Sequence, residues 1–513
     1  MFILVTGELN KSYNVSIEIL NNMVIAVNIK KNYLFNLIYQ VLTMILPLVT
    51  VPYVSRVLNP DGVGTFAYTS SIVQYFILFG TLGISTYGVK QIAINRDDKK
   101  ELSKTFVNIY CLQLILTSIS LIIYIIFVLL FFHEYKIIAL LQIIMLLSAV
   151  IQCSWFFSGL EEFKQIVIRN ILVKIVSLIA VFIFVRKPDD LALYTVIMGF
   201  SSLIGQLVMW FYIKEYVILI KVSFKSIFSH LRPTLVYFLP QLAIQVYFLL
   251  DKTMLGVISG TSEVGVYDYA DKILKIALAI VTSLGVVMLP RMANTVASGN
   301  IEKAREYIIS SLQFSTLLAV PIMFGIAGIS KEFVPWFLGE EFKDSILVLT
   351  VLSPVILLMA WGGVLGTQFL IPFGKMKEYT ISLYVGVVIN ILVNLMLIKP
   401  YGAIGAAVGT LCTECAVVLM QMVFITKILN TKNTLSQTYY YFIAGIIMFG
   451  GIRIIGEILG ISILTTLIQV LVGGGIYLIV IICFEFLLKK GLVLGEIKRV
   501  YSIKITRKKG LGQ

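Results

Sequence analysis

Long apolar stretches separated by short charged ones fill the chain from residue 33 to residue 488. Fourteen are read as membrane spans, at 33–55, 68–89, 107–132, 136–158, 166–186, 190–213, 234–258, 266–290, 308–329, 345–371, 379–398, 402–426, 438–459 and 463–488. A helical span needs about 20 apolar residues. The stretches are continuous, not short and alternating, which predicts α-helices and excludes a transmembrane barrel. The hexapeptide Val63-Gly64-Thr65-Phe66-Ala67-Tyr68 returns as Val264-Gly265-Val266-Tyr267-Asp268-Tyr269, 201 residues later, keeping Val, Gly, an aromatic and Tyr. Both copies follow the first span of a half. Six crossings separate them, an even number, so both lie on one face. That predicts parallel repeats related by an axis along the membrane normal, rocking about a site between them.

The expected fold is an all-α polytopic membrane protein of about 14 transmembrane helices: two six-helix parallel-repeat bundles plus two C-terminal helices. Its expected order is an N-terminal extension at 1–22, disordered and dispensable, then a first bundle at 23–216 and a cytoplasmic linker at 217–233. A second bundle at 234–430, two further spans at 431–488 and a basic cytoplasmic tail at 489–513 complete it. Pro47 and Pro52 in span one and Pro240 in span seven predict bends in the two leading helices.

Composition agrees. The chain is 59% hydrophobic and 13% charged, against roughly 25% charged in soluble domains. Its net charge of +14 is spread unevenly. With the N-terminus inside, seven Lys and Arg fall in outer segments, twenty in inner loops and eight in the tail. The bias places both termini in the cytoplasm and argues for contact with anionic lipid, not nucleic acid. Cys412-x-x-Cys415 has metal-site spacing but only apolar neighbours, so helix packing is the expectation and no metal or cofactor is assigned. Packing is likewise expected of Gly402, Gly405 and Gly409. No phosphate loop, nucleophile elbow or zinc motif points to an enzyme.

Polar residues inside spans are costly unless they face a bundle or water. Helical stripes recur: Asn36, Gln40 and Thr43; Ser70, Gln74 and Thr81; Asn170, Lys174 and Ser177; Gln241, Gln245 and Lys252; Thr410, Glu414 and Gln421. They predict a shared hydrated cavity, the alternative being glue between neighbouring helices. The charged stripe Asp268, Asp271, Lys272, Lys275, beside Asp251-Lys252, could neutralise itself or serve a ligand. Arg56 and Lys252 are placed to meet a phosphate, and Lys174 is the basic candidate on the inner side. Candidate substrate-binding residues are Arg56, Lys174, Lys252, Lys272, Lys275, Gln40, Gln74 and Gln245; candidate ion-coupling residues are Asp251 and Asp271.

Asn32-Tyr33-Leu34-Phe35-Asn36-Leu37-Ile38-Tyr39-Gln40, Pro52-Tyr53-Val54-Ser55-Arg56-Val57-Leu58 and Gly62-Val63-Gly64 closely resemble the opening of bacterial polysaccharide-transporter flippases. These form the Wzx-type branch of the multidrug/oligosaccharidyl-lipid/polysaccharide exporter superfamily. Leu82–Gly88, Asn95–Lys99, Leu250–Gly256 and Gly402–Gly409 fit it too. The resemblance implies an undecaprenyl-diphosphate-linked oligosaccharide moved to the outer leaflet of the bacterial inner membrane by alternating access, coupled to a proton or sodium ion. It also implies that Arg56, Asp251 and Lys252 line the central cavity, with a polysaccharide polymerase and glycosyltransferases as candidate partners. A cation-coupled multidrug exporter and a lipid II flippase are rivals of the same fold. A membrane polymerase or acyltransferase is a rival of another class, and would want a large outer loop or buried His.

Overall fold

A computed structural model describes residues 46–218, 220–426 and 438–488, and every regular element among them is helical. The extension 1–22, the tail 489–513 and Asn36, Gln40 and Thr43 lie outside the described residues.

The run Leu46–Asn95 is 50 residues long, about 75 Å at 1.5 Å per residue and far more than one crossing. It divides at Asn59, whose φ of 56° is left-handed, into α1 (46–58) and α2 (60–95, with a turn at Leu82 and Gly83). Then come α3 (Lys99–Phe131), α4 (Lys136–Gly159), α5 (Phe163–Phe184) and α6 (Leu191–Tyr216). After a short helix at Phe224–Ser229 follow α7 (Leu231–Ile258), α8 (Thr261–Ala297), α9 (Ile301–Phe337) and α10 (Ser345–Leu370). A second 50-residue run, Met376–Ile425, breaks at Gly402, φ 53°, into α11 (376–401) and α12 (403–425). Last are α13 (Tyr439–Leu459) and α14 (Ile463–Leu488). By length and composition eleven described helices can cross a membrane, or twelve counting the bent α8. Dividing the two long runs gives fourteen helices in the order of the fourteen spans read from the sequence, the first described only over 46–58.

The described residues form two compact units. Unit one holds Phe76–Arg186 and Ala192–Phe238 with the described residues before Val51; unit two holds Val51–Tyr75, Lys187–Leu191 and the chain from Leu239. In unit one, Phe106, Trp155, Phe156, Phe157 and Met209 pack a buried aromatic core. In unit two, Met292, Ile308, Val364, Phe369 and Val418 do the same. Other large apolar side chains point outward, among them Leu471, Met396 and Leu487. Such a surface needs lipid as its solvent.

The repeat is visible inside unit two. Asn59 and Gly260 are 201 positions apart, and both have positive φ, 56° and 94°. Each ends one helix and starts the next. The repeated glycines meet reciprocally: a Cβ on Gly64 would lie 1.7 Å from the Thr261 carbonyl oxygen, and one on Gly265 would lie 2.0 Å from that of Pro60. Pro60 and Thr261 are themselves repeat-equivalent. Beside them the Thr261 hydroxyl donates to Asp61, and the Ser71 and Thr253 hydroxyls lie 3.0 Å apart.

Candidate functional site

α7 and α8 bring a charge network into the interior of unit two. Lys252 Nζ lies 2.6 Å from Asp268 Oδ1 and 3.4 Å from Asp271 Oδ2. Lys272 lies 2.7 Å from Asp268 Oδ2, and Lys275 lies 2.7 Å from Asp271 Oδ2. Helical spacing explains it: Asp268 and Lys272, and Asp271 and Lys275, are i,i+4 pairs on one face of α8. The carboxylates are buried, and so, largely, is the Lys252 side chain. Those of Lys272 and Lys275 are 39% and 41% exposed, and they stack over the Tyr269 and Phe248 rings. Of the sequence-selected bases here, Lys272 and Lys275 present free surface, whereas Lys252 is held between two acids.

Asp251, next to Lys252, faces another way. It is 3% exposed. Asn390 and Asn394 of α11 donate to its Oδ1 at 2.9 and 2.7 Å, and Tyr267 of α8 and Thr410 of α12 donate to Oδ2 at 2.8 and 2.7 Å. Four neutral donors from three helices saturate a carboxylate buried where charge is expensive. Asn394 Oδ1 is buried with no hydrogen-bond partner among the described residues. A narrow, part-enclosed cleft is lined by Asp251, Thr410, Tyr267, Tyr247, Asp271 and Lys275. It therefore runs from the half-exposed Lys275, past Asp271, to the buried Asp251. Across α7, Tyr247 donates to Glu414 of α12.

Within unit two, no described hydrogen bond or ion pair joins the other candidates to this cluster. Arg56 is exposed and donates to the carbonyls of Trp336 and, at 3.3 Å, Pro52. It thus caps the end of α9. Gln74 is half-buried in α2 and Gln245 exposed in α7, and no described hydrogen bond joins either to the charged cluster. Lys174 is half-buried in α5 of unit one. Gln40 lies outside the described residues.

A family model described as "Polysaccharide biosynthesis protein" matches residues 29–296, just over half of the chain. The chain belongs to that family. The Wzx-type membership expected from the opening motifs holds, and a second model, MatE, matches residues 237–396. Within reach of the family is an Escherichia coli K12 protein provisionally named an O-antigen transporter, 24% identical over 402 residues, 78% of this chain and 97% of its own. Lipid II flippase MurJ of Bacillus subtilis is 27% identical over 225 residues, 41% of each chain. Among solved structures, lipid II flippase MurJ in an inward closed conformation has a TM-score of 0.71 at 17% identity, covering 89% of this chain and 100% of that one. An inward-facing multidrug resistance MATE family transporter has 0.57 at 14% identity, covering 75% and 98%. At those identities the likeness is one of fold, and it agrees with the all-helical architecture of this family member.

The sequence reading missed Asn390, Asn394, Tyr247 and Tyr267 as partners of the buried acids. Asn390 and Asn394 carried a signal, an i,i+4 amide pair in an otherwise apolar span. Tyr267 stood inside the repeated hexapeptide and was read only as part of the repeat.

Proposed function

We propose that the protein is a flippase, not an enzyme, that moves an undecaprenyl-diphosphate-linked oligosaccharide from the inner to the outer leaflet of the bacterial cytoplasmic membrane by alternating access. The family and its O-antigen-transporter relative support the cargo class. The observation that carries the reading is the network of Lys252, Lys272, Lys275, Asp268 and Asp271 inside spans α7 and α8. Charges at such a depth are retained for a ligand pathway. Lys272 and Lys275, half-exposed and one turn apart, meet the diphosphate. Lys252 holds the two acids that aim them. The isoprenoid tail stays in lipid. Arg56 and Lys174 act elsewhere on the path, and Gln40, Gln74 and Gln245 hydrogen-bond the glycan.

Coupling runs through Asp251. Its four neutral donors and the cleft from Lys275 make it a seat for a proton or a sodium ion, whose arrival changes what Asn390, Asn394, Thr410 and Tyr267 bond to. Asp271, shared between Lys252 and Lys275, transmits the change to the diphosphate side. The path serves capsule, O-antigen or a similar surface polymer, beside its polymerase and glycosyltransferases.

The test replaces the strain's own flippase with this chain. Lys272→Ala/Lys275→Ala removes the two half-exposed cations and leaves each buried acid its contact with Lys252. The double variant should reach the membrane at the parental level, lose surface glycan and accumulate the lipid-linked precursor. Full surface glycan with both lysines gone would end their assignment.

A further inference from the structure

Residues 217–230, within the stretch expected to be a linker, form a strap fastened to unit one. They join the end of α6 at Tyr216 to the start of α7 at Leu231. The Ile218 N–H donates to Ser103 Oγ of α3 at 2.9 Å. Lys99, one turn earlier in α3, donates to the Glu215 carbonyl at 3.3 Å. His230 meets the Tyr87 hydroxyl of α2. The short helix Phe224–Ser229 begins there because Ser223 is extended and its Oγ accepts from the Ser226 N–H at 3.2 Å, an N-cap. It turns Ile227, 8% exposed, into the core that Leu102 and Phe106 of α3 help to build. One side of the strap therefore lies against the protein.

Its other side combines bare cations with bare apolar groups. Phe224 is 71% exposed, although its ring lies 4.6 Å from that of Phe228, and Ile218 is 52% exposed. Lys221, Lys225 and Arg232 are exposed, and none makes an ion pair among the described residues. No Asp or Glu occurs between Glu215 and Asp251, so no neighbour in the chain neutralises them. The neighbouring inner turns differ: there Arg96 pairs with Glu161, and Lys104 with Glu101. The flanking spans set the depth. Phe211 of α6 and Val236 of α7 are 71% and 67% exposed, and both lie within about two turns of the strap. Such side chains need lipid around them, which puts the strap at the level of the headgroups. Unpaired cations beside an aromatic ring at that depth are the make-up of an interfacial segment.

We propose that the strap is a docking surface for the anionic phospholipid of the inner leaflet. Lys221, Lys225 and Arg232 meet lipid phosphates, and Phe224 and Ile218 enter the boundary between headgroups and acyl chains. The charge complementarity is with the bilayer itself: the bias of the basic loops puts this end of the molecule on the cytoplasmic side, where the leaflet is negative. The surface belongs to unit one alone and does not depend on what the protein carries.

The test uses the purified full chain in liposomes of mixed phosphatidylcholine and phosphatidylglycerol. A trace of one lipid or the other carries a photoreactive diazirine just below its headgroup, and adducts are mapped by peptide mass spectrometry. Each cation near an anionic surface favours it by roughly fivefold, so the phosphatidylglycerol probe should label the segment 217–232 at least about fivefold more than the phosphatidylcholine probe. Lys221→Gln/Lys225→Gln/Arg232→Gln should bring the ratio close to one. Phe224→Ser should lower labelling by both probes, because the ring no longer draws the strap below the headgroups. These side chains are exposed, so the variants keep the fold. Salt at about 1 M, where charges are screened beyond about 3 Å, should level the ratio in the unaltered protein and needs no variant. Equal labelling by the two probes at low salt, no adduct in the segment with either, a phosphatidylglycerol excess that survives the triple variant or the salt, or unchanged labelling in Phe224→Ser overturns the proposal.

Discussion

A single atom decides what residues 64 and 265 can be. Backbone carbonyls stand 1.7 and 2.0 Å from where their Cβ atoms would be, and backbone does not yield as a rotamer does. A side chain at either glycine must separate the two repeat turns, at about 1–3 kcal/mol of overpacking. Cysteines at Asp61 and Thr261, whose side chains are hydrogen-bonded, report the separation. Gly64→Ala or Gly265→Ala should lower the oxidative cross-link between them by about tenfold, the equivalent of 1.4 kcal/mol; equal cross-linking would show that the contact bears no strain. His230, ahead of α7, offers a different handle. Its Nδ1 lies 2.7 Å from the Tyr87 hydroxyl, and burial pushes the imidazole below its ordinary value. The unfolded chain therefore binds the proton more tightly, so stability is full above about pH 6.5 and falls as pH drops below it. Thermal unfolding of the wild type should lose more between pH 6.5 and 5.5 than that of His230→Phe. At this scale the sequence disclosed charges and hid neutral partners. Asp251, Asp268 and Lys252 stand out in apolar runs, whereas Asn390 and Asn394 look like inter-helix glue until a carboxylate from α7 reaches them. The Arg56 cap on Trp336 joins residues 280 apart, which no local pattern reveals.

Helices here are delimited by backbone breaks as much as by loops. α11 and α12 follow one another with only Gly402 between them, and the orphan N–H of Ala403 is answered by Glu263 Oε2 at 2.6 Å. This is capping supplied from α8, 140 positions away, and it explains why α8 opens with an acid. Losing a cap of this kind costs about 1 kcal/mol. Glu263→Ala should lower the thermal midpoint while Glu263→Gln, which keeps an acceptor oxygen, recovers most of the loss; identical midpoints for both would show that the bond carries nothing. The number of spans was legible because hydrophobic length is a property of composition. The ends were less so: α8 runs from Thr261 to Ala297 and α9 from Ile301 to Phe337, beyond their apolar cores at 266–290 and 308–329. Polar turns continue a helix wherever their own caps and neighbours permit it, and a hydropathy pattern stops counting them.

For the whole molecule, on the proposed function, the question is how a charged headgroup crosses oil without leaving charges stranded. Lys252 shares Asp268 with Lys272 and Asp271 with Lys275, so three cations meet two acids with one positive charge in excess, and on the proposed function a diphosphate that engages the outer pair leaves Lys252 to hold the acids. Removing the centre should harm folding more than removing the rim. Lys252→Met strips both buried carboxylates of a partner, and breaking a buried pair in this way costs about 3–5 kcal/mol. The folded yield on size-exclusion should therefore fall far below that of Lys272→Ala/Lys275→Ala. If the network is a balance of charges rather than a set of separate contacts, Asp268→Asn added to Lys252→Met should restore much of that yield, although it removes a further hydrogen-bonded ion pair. An additive loss in the double variant would mean that each acid is held independently, and the cluster would then be packing between α7 and α8 and not a device for carrying an anion.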